Sequence, residues 1–290
     1  MVDVVVLNYN DWKTTSNFVD SIKQYRNIEH IVIVDNCSLD DSFEKLKLLE
    51  SDKILTIRSK QNGGYGYGNN VGIRFLKKKY NPEYILLSNP DVIVSDKTIK
   101  EMEMFLSTHS EYAIVAPFMC NKYGEKQNNS AFKLPTENQY IKSLGMFYSK
   151  YKHPLQYKDF EKSVDEFMTV GAVSGSMFMF RTDPMIKYGM FDENMFLYCE
   201  EVTLGLKMHQ AQQKIGLLLQ ETFIHNHSIS ISKSYRSDVA KRRLLNKSKL
   251  YVLRNYYKSR GIKYFCAVIL SKIGIAETYI NNFRRGRQAE

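Results

Sequence analysis

"VDVVVLNYNDWKTTSNFVDSIKQYRNIEHIVIVDNCS", residues 2 to 38, decides the fold. Its ends, "VDVVVLNYN" and "HIVIVDNCS", are short, rich in β-branched residues and apolar on both faces, as strands of a parallel sheet covered on both sides read. Between them Trp12, Phe18, Val19 and Ile22 recur at helical spacing and would face that sheet. The unit is βαβ, and it repeats. "DDSFEKLKLL" predicts a helix, "KILTIRS" a strand, "GNNVGIRFLKKKY" a helix after a glycine-rich loop, and "EYILLSN" a fourth strand. "SDKTIKEMEMFLSTH" and "YAIVAP" add a further helix and strand. The expected fold is α/β, a doubly wound, mostly parallel, Rossmann-like sheet whose ligands lie outside the carboxyl ends of its strands.

From 121 to 167 the chain is polar and irregular, an excursion that would frame a substrate. Strand character returns in "GAVSGSMFMFR". A helix is predicted from about Glu201, then another strand, and a helical tail after "ETFIHNHSISIS".

The 290 residues are globular in composition, with 43% hydrophobic and 25% charged. Tyrosine is abundant, 20 residues against 16 Phe and 1 Trp, which suits polar ligands as well as packing. Cys37, Cys120, Cys199 and Cys266 are far apart and form no CxxC pair, so neither a zinc site nor a disulfide framework is signalled; a reducing cytoplasm is expected. No basic-then-apolar leader opens the sequence, and no run of about 18 apolar residues occurs, so a soluble or peripheral protein is expected. The net charge of +10 is uneven: residues 233–290 carry 15 Lys and Arg against Asp238, Glu277 and Glu290, while the remainder is nearly neutral. A near-neutral body with a basic helical extension suggests two jobs.

Candidate chemistry lies at the strand ends. Asp35 follows "HIVIV" and is open to two readings, a helix cap or a carboxylate that accepts a hydrogen bond from a base or a ribose hydroxyl. "NGGYGYGNNVG", residues 62–72, is neither GxGxxG nor a P-loop, but its glycines would let the backbone approach a sugar or phosphate. Asp91 in "LLSNPDVIVS" ends the fourth strand, either in a simple turn or as a ligand to a hard cation. Glu200 and Glu201 open a predicted helix, where acids suit the dipole and where a general base is the competing reading. His225 and His227 would point to opposite faces of an extended segment.

In order and spacing, "VVVLNYN", "VIVDNCSLDDS", "NGGYGYGNNVGI", "LLSNPDV", "VSGSMFMFR", "YGMFDENMFLYCEEVTLGLKM" and "IHNHSIS" together resemble the inverting glycosyltransferases of family two, in the branch of bacterial rhamnosyl- and galactofuranosyltransferases. The resemblance runs from about residue 2 to 232. It implies a GT-A catalytic domain over 1–232, with a nucleotide-binding half about 1–118 and an acceptor half about 119–232, and a basic helical extension over 233–290. It also implies an enzyme that moves a sugar from a nucleoside-diphosphate sugar to a hydroxyl of a glycan or polyprenyl-linked acceptor in surface polysaccharide synthesis. dTDP-rhamnose is the first expectation for the donor; UDP-galactofuranose, UDP-glucose and UDP-galactose are the alternatives.

Carried over residue by residue, Asn8 and Tyr9 would line the nucleotide pocket, and Asp35 would hold the base. Asn62, Gly64 and Asn70 would lie along the nucleoside diphosphate. Asn89 and Asp91 match the family's metal motif, with Asn89 where an acid is common, so Asp91 and His225 would ligate Mg²⁺ or Mn²⁺. His225 fits the pattern better than His227 because Ser230 then falls on a common Ser. Gly175 and Ser176 would shape the acceptor side, and Asp192 would organise the loop before the base. Glu201 stands at the usual catalytic acid, with Glu200 second, and Thr203 replaces a further acid.

The tail "KRRLLNKSKLYVLRNYYKSRGIKYFCAVILSKIG" reads either as a basic amphipathic element for an anionic membrane surface at the inner face of the cell membrane, or as helices packed on the body with a solvated basic face. A homodimer is left open. Nucleic-acid binding is the non-enzyme alternative, suggested by a pI of 9.2, but no recognised nucleic-acid signature supports it. The absent GxGxxG argues against a dinucleotide-dependent oxidoreductase.

Overall fold

One sheet runs through the molecule in the order β3-β2-β1-β4-β10-β6-β11-β5, with β8 also paired to β11. A computed structural model describes residues 1–152, 155–157, 164–226 and 237–286. Its strands are β1 (Val2–Asn8), β2 (Ile28–Asp35), β3 (Ile54–Arg58), β4 (Tyr84–Ser88), β5 (Val92–Val94), β6 (Tyr112–Cys120), β7 (Ala131–Phe132), β8 (Phe167–Val170), β9 (Ala172–Val173), β10 (Met177–Arg181) and β11 (Lys214–His225). The helices are α1 (Trp12–Ile22), α2 (Ser42–Lys47), α3 (Tyr65–Lys79), α4 (Asp96–Thr108), α5 (Glu137–Lys142), α6 (Met146–Lys152), α7 (Glu200–Gln210), α8 (Asp238–Asn255) and α9 (Gly261–Gly286).

The first half follows the expected alternation. β3, β2, β1 and β4 are parallel neighbours. Val4 and Val6 of β1 join Phe18, Val19 and Ile22 of α1 in one core, while Val5 joins Ile73 and Leu76 of α3 in the core on the opposite face. A strand buried on both sides needs the unbroken apolar run seen there. Gly72 of α3 is the close-approach point, since a Cβ there would stand 2.7 Å from Val5 and 2.9 Å from Val34.

The second half differs in detail. "YAIVAP" forms β6, but β10 lies between it and β4 and runs antiparallel to both. "VIV" after Asp91 is a short strand that pairs antiparallel with the end of β11. The segment read as irregular holds β7, α5 and α6, and α5 starts on a capping box in which Thr136 and Gln139 bond each other's backbone. "GAVSGSMFMFR" is two strands divided by a turn over residues 174–176.

The extension packs on the body. Val252, Leu253 and Ala267 share a buried cluster with Tyr140, Ile141, Leu144, Met195, Cys199 and Val202. Among the described residues, no helix is long and apolar enough to cross a membrane.

Candidate active site

Parallel pairing sets the carboxyl ends of β1, β2, β3 and β4 along one edge, where Asn8 is in register with Asp35 and Asp35 with Arg58. The amino end of the antiparallel β10 reaches the same edge, since Met177 pairs with Ser88. His225 comes there too, opposite Val92. Residues up to 217 positions apart in sequence are thereby gathered where an open α/β sheet binds ligands.

Asp35 does not cap α2, whose N-cap is Asp41. It is fully buried at the end of β2. One carboxylate oxygen accepts the Asn8 amide at 3.0 Å; the other accepts the Ser38 N–H at 3.1 Å and faces Arg58 Nε at 3.4 Å. Thr15 Oγ donates to the Asn8 amide oxygen at 2.9 Å, so the Asn8 rotamer is fixed from both ends. Tyr9 follows on the half-exposed loop.

In the glycine-rich loop, Asn62 accepts from Asn36 at 3.1 Å and from the Gly64 N–H at 3.2 Å. Gly64 has φ +89, and a Cβ there would fall 1.9 Å from the Phe196 carbonyl oxygen. Only glycine fits both demands. The loop thus lies against the segment before α7, and the Tyr65 N–H donates to the same carbonyl at 3.1 Å. Asn70 is fully buried and turned toward that segment: its amide donates to the Phe191 carbonyl at 2.9 Å and to Glu193 at 2.8 Å, while its oxygen accepts the Phe191 N–H at 3.0 Å.

Beyond β4, Asp91 Oδ1 lies 3.1 Å from His225 Nε2, and both side chains are nearly buried at 9% exposure. The Asn226 N–H donates to the Asp91 backbone carbonyl at 3.0 Å, which fixes the two segments to each other. His227 and Ser230 lie outside the described residues. No group of three His, Cys, Asp or Glu able to hold a metal ion occurs among the described residues. Among the described residues, Asp91 and His225 bring together one hard oxygen and one imidazole nitrogen, donors of the kind that would suit Mn²⁺ or Mg²⁺ when a diphosphate brings further oxygens.

The Asn89 N–H donates to the Ser176 carbonyl at 2.8 Å, and Ser176 is buried with its hydroxyl 2.9 Å from that of Ser174. The neighbouring Gly175 backbone N–H faces the Glu201 carboxyl group and favours its charged form, and Tyr65 OH donates to the Gly175 carbonyl. One turn thus joins the Asn89–Asp91 segment to the acid pair. A Cβ on Gly175 would stand 3.3 Å from Glu201 Oε1.

Glu200 and Glu201 are the first two residues of α7, preceded by Tyr198 and Cys199 at φ 72 and 74. Two left-handed non-glycine residues in succession cost roughly 1–3 kcal/mol each unless their surroundings hold them. Ser248 of α8 supplies part of that hold by donating to the Leu197 carbonyl at 2.7 Å. Burial pushes the Glu200 carboxyl up to about 8, with the neighbouring Glu201 charge adding to it. Among the described residues Glu200 Oε1 is buried with no hydrogen-bond partner. Burial also raises Glu201, against backbone N–H donors that favour its charged form. Glu201 is half-buried where Glu200 is buried, which leaves it the more accessible of the pair. Burial pushes the Cys199 thiol up to about 12, which makes it an inert packing group.

Asp192 ties the loop to the extension. One oxygen accepts Tyr251 OH at 3.0 Å and Tyr256 OH at 2.9 Å; the other accepts the Asn194 N–H at 3.0 Å. Burial opposes ionisation, but these donors hold the carboxyl below the usual range.

Tyr65, Arg58, Tyr251 of α8 and Tyr256 just past its end are the residues that sequence reasoning passed over. Arg58 carried a signal, a basic residue at the end of the strand beside Asp35. The tyrosines carried none, because only the fold brings them to Asp192.

The low-salt glycan biosynthesis hexosyltransferase Agl10 of Haloferax volcanii is 27% identical over 230 residues, 79% of this chain and 68% of that protein. The rhamnosyltransferase WbbL of Escherichia coli is 26% identical over 152 residues, 51% of this chain and 55% of that protein. In structure the chain is similar to GalNAc-T7, solved with UDP, GalNAc and Mn²⁺, at a TM-score of 0.63 and 14% identity over 94% of this chain and 54% of that one, a likeness of GT-A fold. Residues 3–189 match the family described as Glycosyl transferase family 2. That match takes in the strand-end acids, the glycine-rich loop and the turn at Gly175, and with it this chain belongs to glycosyl transferase family 2 and is a glycosyltransferase.

Proposed function

We propose that the protein moves a sugar from a nucleoside-diphosphate sugar to a hydroxyl of a glycan or lipid-linked glycan, with inversion at the anomeric carbon, in bacterial surface polysaccharide synthesis. It would act in the cytoplasm at the inner face of the membrane. dTDP-rhamnose is the donor we favour, a choice supported by the rhamnosyltransferase relative. UDP-galactofuranose, UDP-glucose and UDP-galactose are its competitors.

The observation that carries this reading is the 3.1 Å contact between Asp91 and His225, 134 residues apart, at the carboxyl edge of the sheet. Asp91 and His225 would hold Mg²⁺ or Mn²⁺, and such an ion supplies Lewis-acid neutralisation of the leaving diphosphate. Asn8, Tyr9 and Asp35 form the base end, with Asp35 buried to hold Asn8, Ser38 and Arg58 in place. Asn62, Gly64 and Asn89 border the diphosphate. Asn70 acts at one remove, by locking the loop over residues 191–193.

On the acceptor side, Gly175 and Ser176 shape the approach and Asp192 fixes the loop before α7. Glu201 takes the proton of the acceptor hydroxyl while that oxygen bonds to the anomeric carbon, and the bond from that carbon to the diphosphate breaks with its electron pair leaving on the diphosphate. Burial raises the Glu201 carboxyl above its ordinary value, the direction in which a proton acceptor strengthens. Glu200, deeper and unpartnered on one oxygen, stays protonated at neutral pH and supports its neighbour.

A thermal-shift screen of sugar nucleotides with Mg²⁺ or Mn²⁺ tests the proposal. A true donor at 100 times its dissociation constant stabilises the fold by about 2.7 kcal/mol. We expect dTDP-rhamnose to give the largest shift, and only with metal; no response to any sugar nucleotide would overturn the reading.

A further inference from the structure

Helix α9 is apolar on the side that faces away from the protein. Ala267, Ser271, Gly274 and Thr278 are its buried positions, all small. Gly274 sets the closest approach, since a Cβ there would fall 2.2 Å from the Leu144 carbonyl oxygen. At 100° per residue those four positions form one stripe, and the opposite stripe holds Ile262, Phe265, Ile269, Ile273, Ile280 and Phe283. These six are exposed, from 42% at Ile269 to 83% at Ile262. A helix docked on a soluble body normally shows charges on that outer face and its large apolar groups to the core. Here the order is reversed over 22 residues, about 33 Å of helix. Contiguous exposed apolar surface of this size marks an interaction site.

Charge says what covers it. Glu277 is the only acid of α9, and it is occupied in accepting the Met146 N–H at 2.6 Å. Lys272 is exposed beside the stripe. Between α8 and α9 lies an open groove of about 430 Å³ lined by Arg243, Lys247 and Arg254 with Tyr251 and Tyr264. Large apolar groups on one line with cations alongside match a surface whose interior is hydrocarbon and whose headgroups are anionic.

We propose that α9 is a docking face for an anionic lipid surface, on which the helix lies flat with Ile262, Phe265, Ile269, Ile273, Ile280 and Phe283 in the acyl boundary and the basic groove at the phosphate level. The inference goes beyond the transferase reading by assigning the surface that meets the membrane. It has a consequence for the site: Tyr251 lines the groove and also bonds Asp192, so one side chain of the docked extension reaches from the groove to the acceptor loop.

The test is sedimentation of the full chain with vesicles of phosphatidylglycerol and phosphatidylcholine in equal parts, and with phosphatidylcholine alone. We expect binding to the anionic vesicles that weakens as salt is raised. A variant carrying Ile262→Ser, Phe265→Ser and Ile273→Ser, all at exposed positions, should bind at least tenfold more weakly, on the order expected from that much lost apolar burial. Arg243→Gln, Lys247→Gln and Arg254→Gln together should weaken binding by about a hundredfold. Sugar-nucleotide thermal shifts measured on the same variants should match wild type, which shows that they fold and separates failure of lipid binding from failure of the transferase reading. Absence of wild-type binding to anionic vesicles, or unchanged binding by the serine variant, would overturn the proposal. So would light scattering that shows a wild-type dimer converted to monomer by the serine variant, since a second copy would then be the occupant.

Discussion

Replacing Glu200 with Gln should make the protein's stability far less sensitive to pH. In the folded chain the Glu200 carboxyl keeps its proton to about pH 8, because burial and the adjacent Glu201 disfavour its charge, against an ordinary value of 4.5. Between those limits the unfolded chain is ionised and the folded chain is not. The unfolded state therefore binds fewer protons, and wild-type stability falls as pH rises through that interval, then levels off above it. At about 1.4 kcal/mol per pH unit over that interval the fall approaches about 5 kcal/mol, an upper figure because Glu200 shares its burial with Glu201. Gln mimics the protonated carboxyl in shape and cannot ionise. Any fixed cost of its extra N–H, about 1 kcal/mol, is the same at every pH and cancels in the comparison. Urea unfolding of wild type and Glu200→Gln at steps from pH 5 to pH 9 reads the effect: the variant should gain on wild type steadily up to pH 8. Parallel profiles would refute the claim that Glu200 is held neutral.

Three further outcomes follow from the geometry. Gly64→Ala should cost about 3 kcal/mol or more and disturb sugar-nucleotide binding, because the left-handed φ and the Phe196 carbonyl both exclude a Cβ; a loss below about 1 kcal/mol in chemical unfolding would show that the loop has other room. Tyr251→Phe with Tyr256→Phe should remove two hydrogen bonds to the Asp192 carboxylate and lower stability by about 3 kcal/mol at pH 7; the difference from wild type should shrink as pH falls below the ordinary Asp value of 3.8 and Asp192 is protonated, since a depressed carboxyl stabilises above that range and loses its effect below it. Asp91→Ala should abolish the metal dependence of donor binding, and calorimetry with Mn²⁺ that gives wild-type affinity would remove Asp91 from the site.

The βαβ half was readable in the sequence because each of its strands is apolar on both faces and each helix carries its own stripe, so local pattern and tertiary placement agree. Asp91, His225 and Glu201 came together as candidates only through their order along the chain; singly, a turn, a surface histidine and a helix-start acid explain them as well. What sequence could not supply is long-range. Nothing in "MFMFR" says that β10 inserts between β4 and β6, since an apolar strand reads the same in either direction. Asn70 has the letters of a loop polar group and is spent on Phe191 and Glu193, 121 to 123 residues away. The tail presented two readings, and both were incomplete: its helices do pack on the body, but the outer face of α9 is apolar, because its docked face is made of Ala, Ser, Gly and Thr.

The claim that Glu201 is the base of a glycosyl transfer is tested most directly by the turnover of Glu201→Gln with a donor found in the thermal-shift screen. Loss of a placed base costs about 10² to 10⁴ in rate. Transfer by the variant should fall within or below that range, while its calorimetric affinity for the sugar nucleotide stays within about twofold of wild type, well under 1 kcal/mol. Near-normal turnover by Glu201→Gln, with the donor bound as tightly as before, would contradict the account.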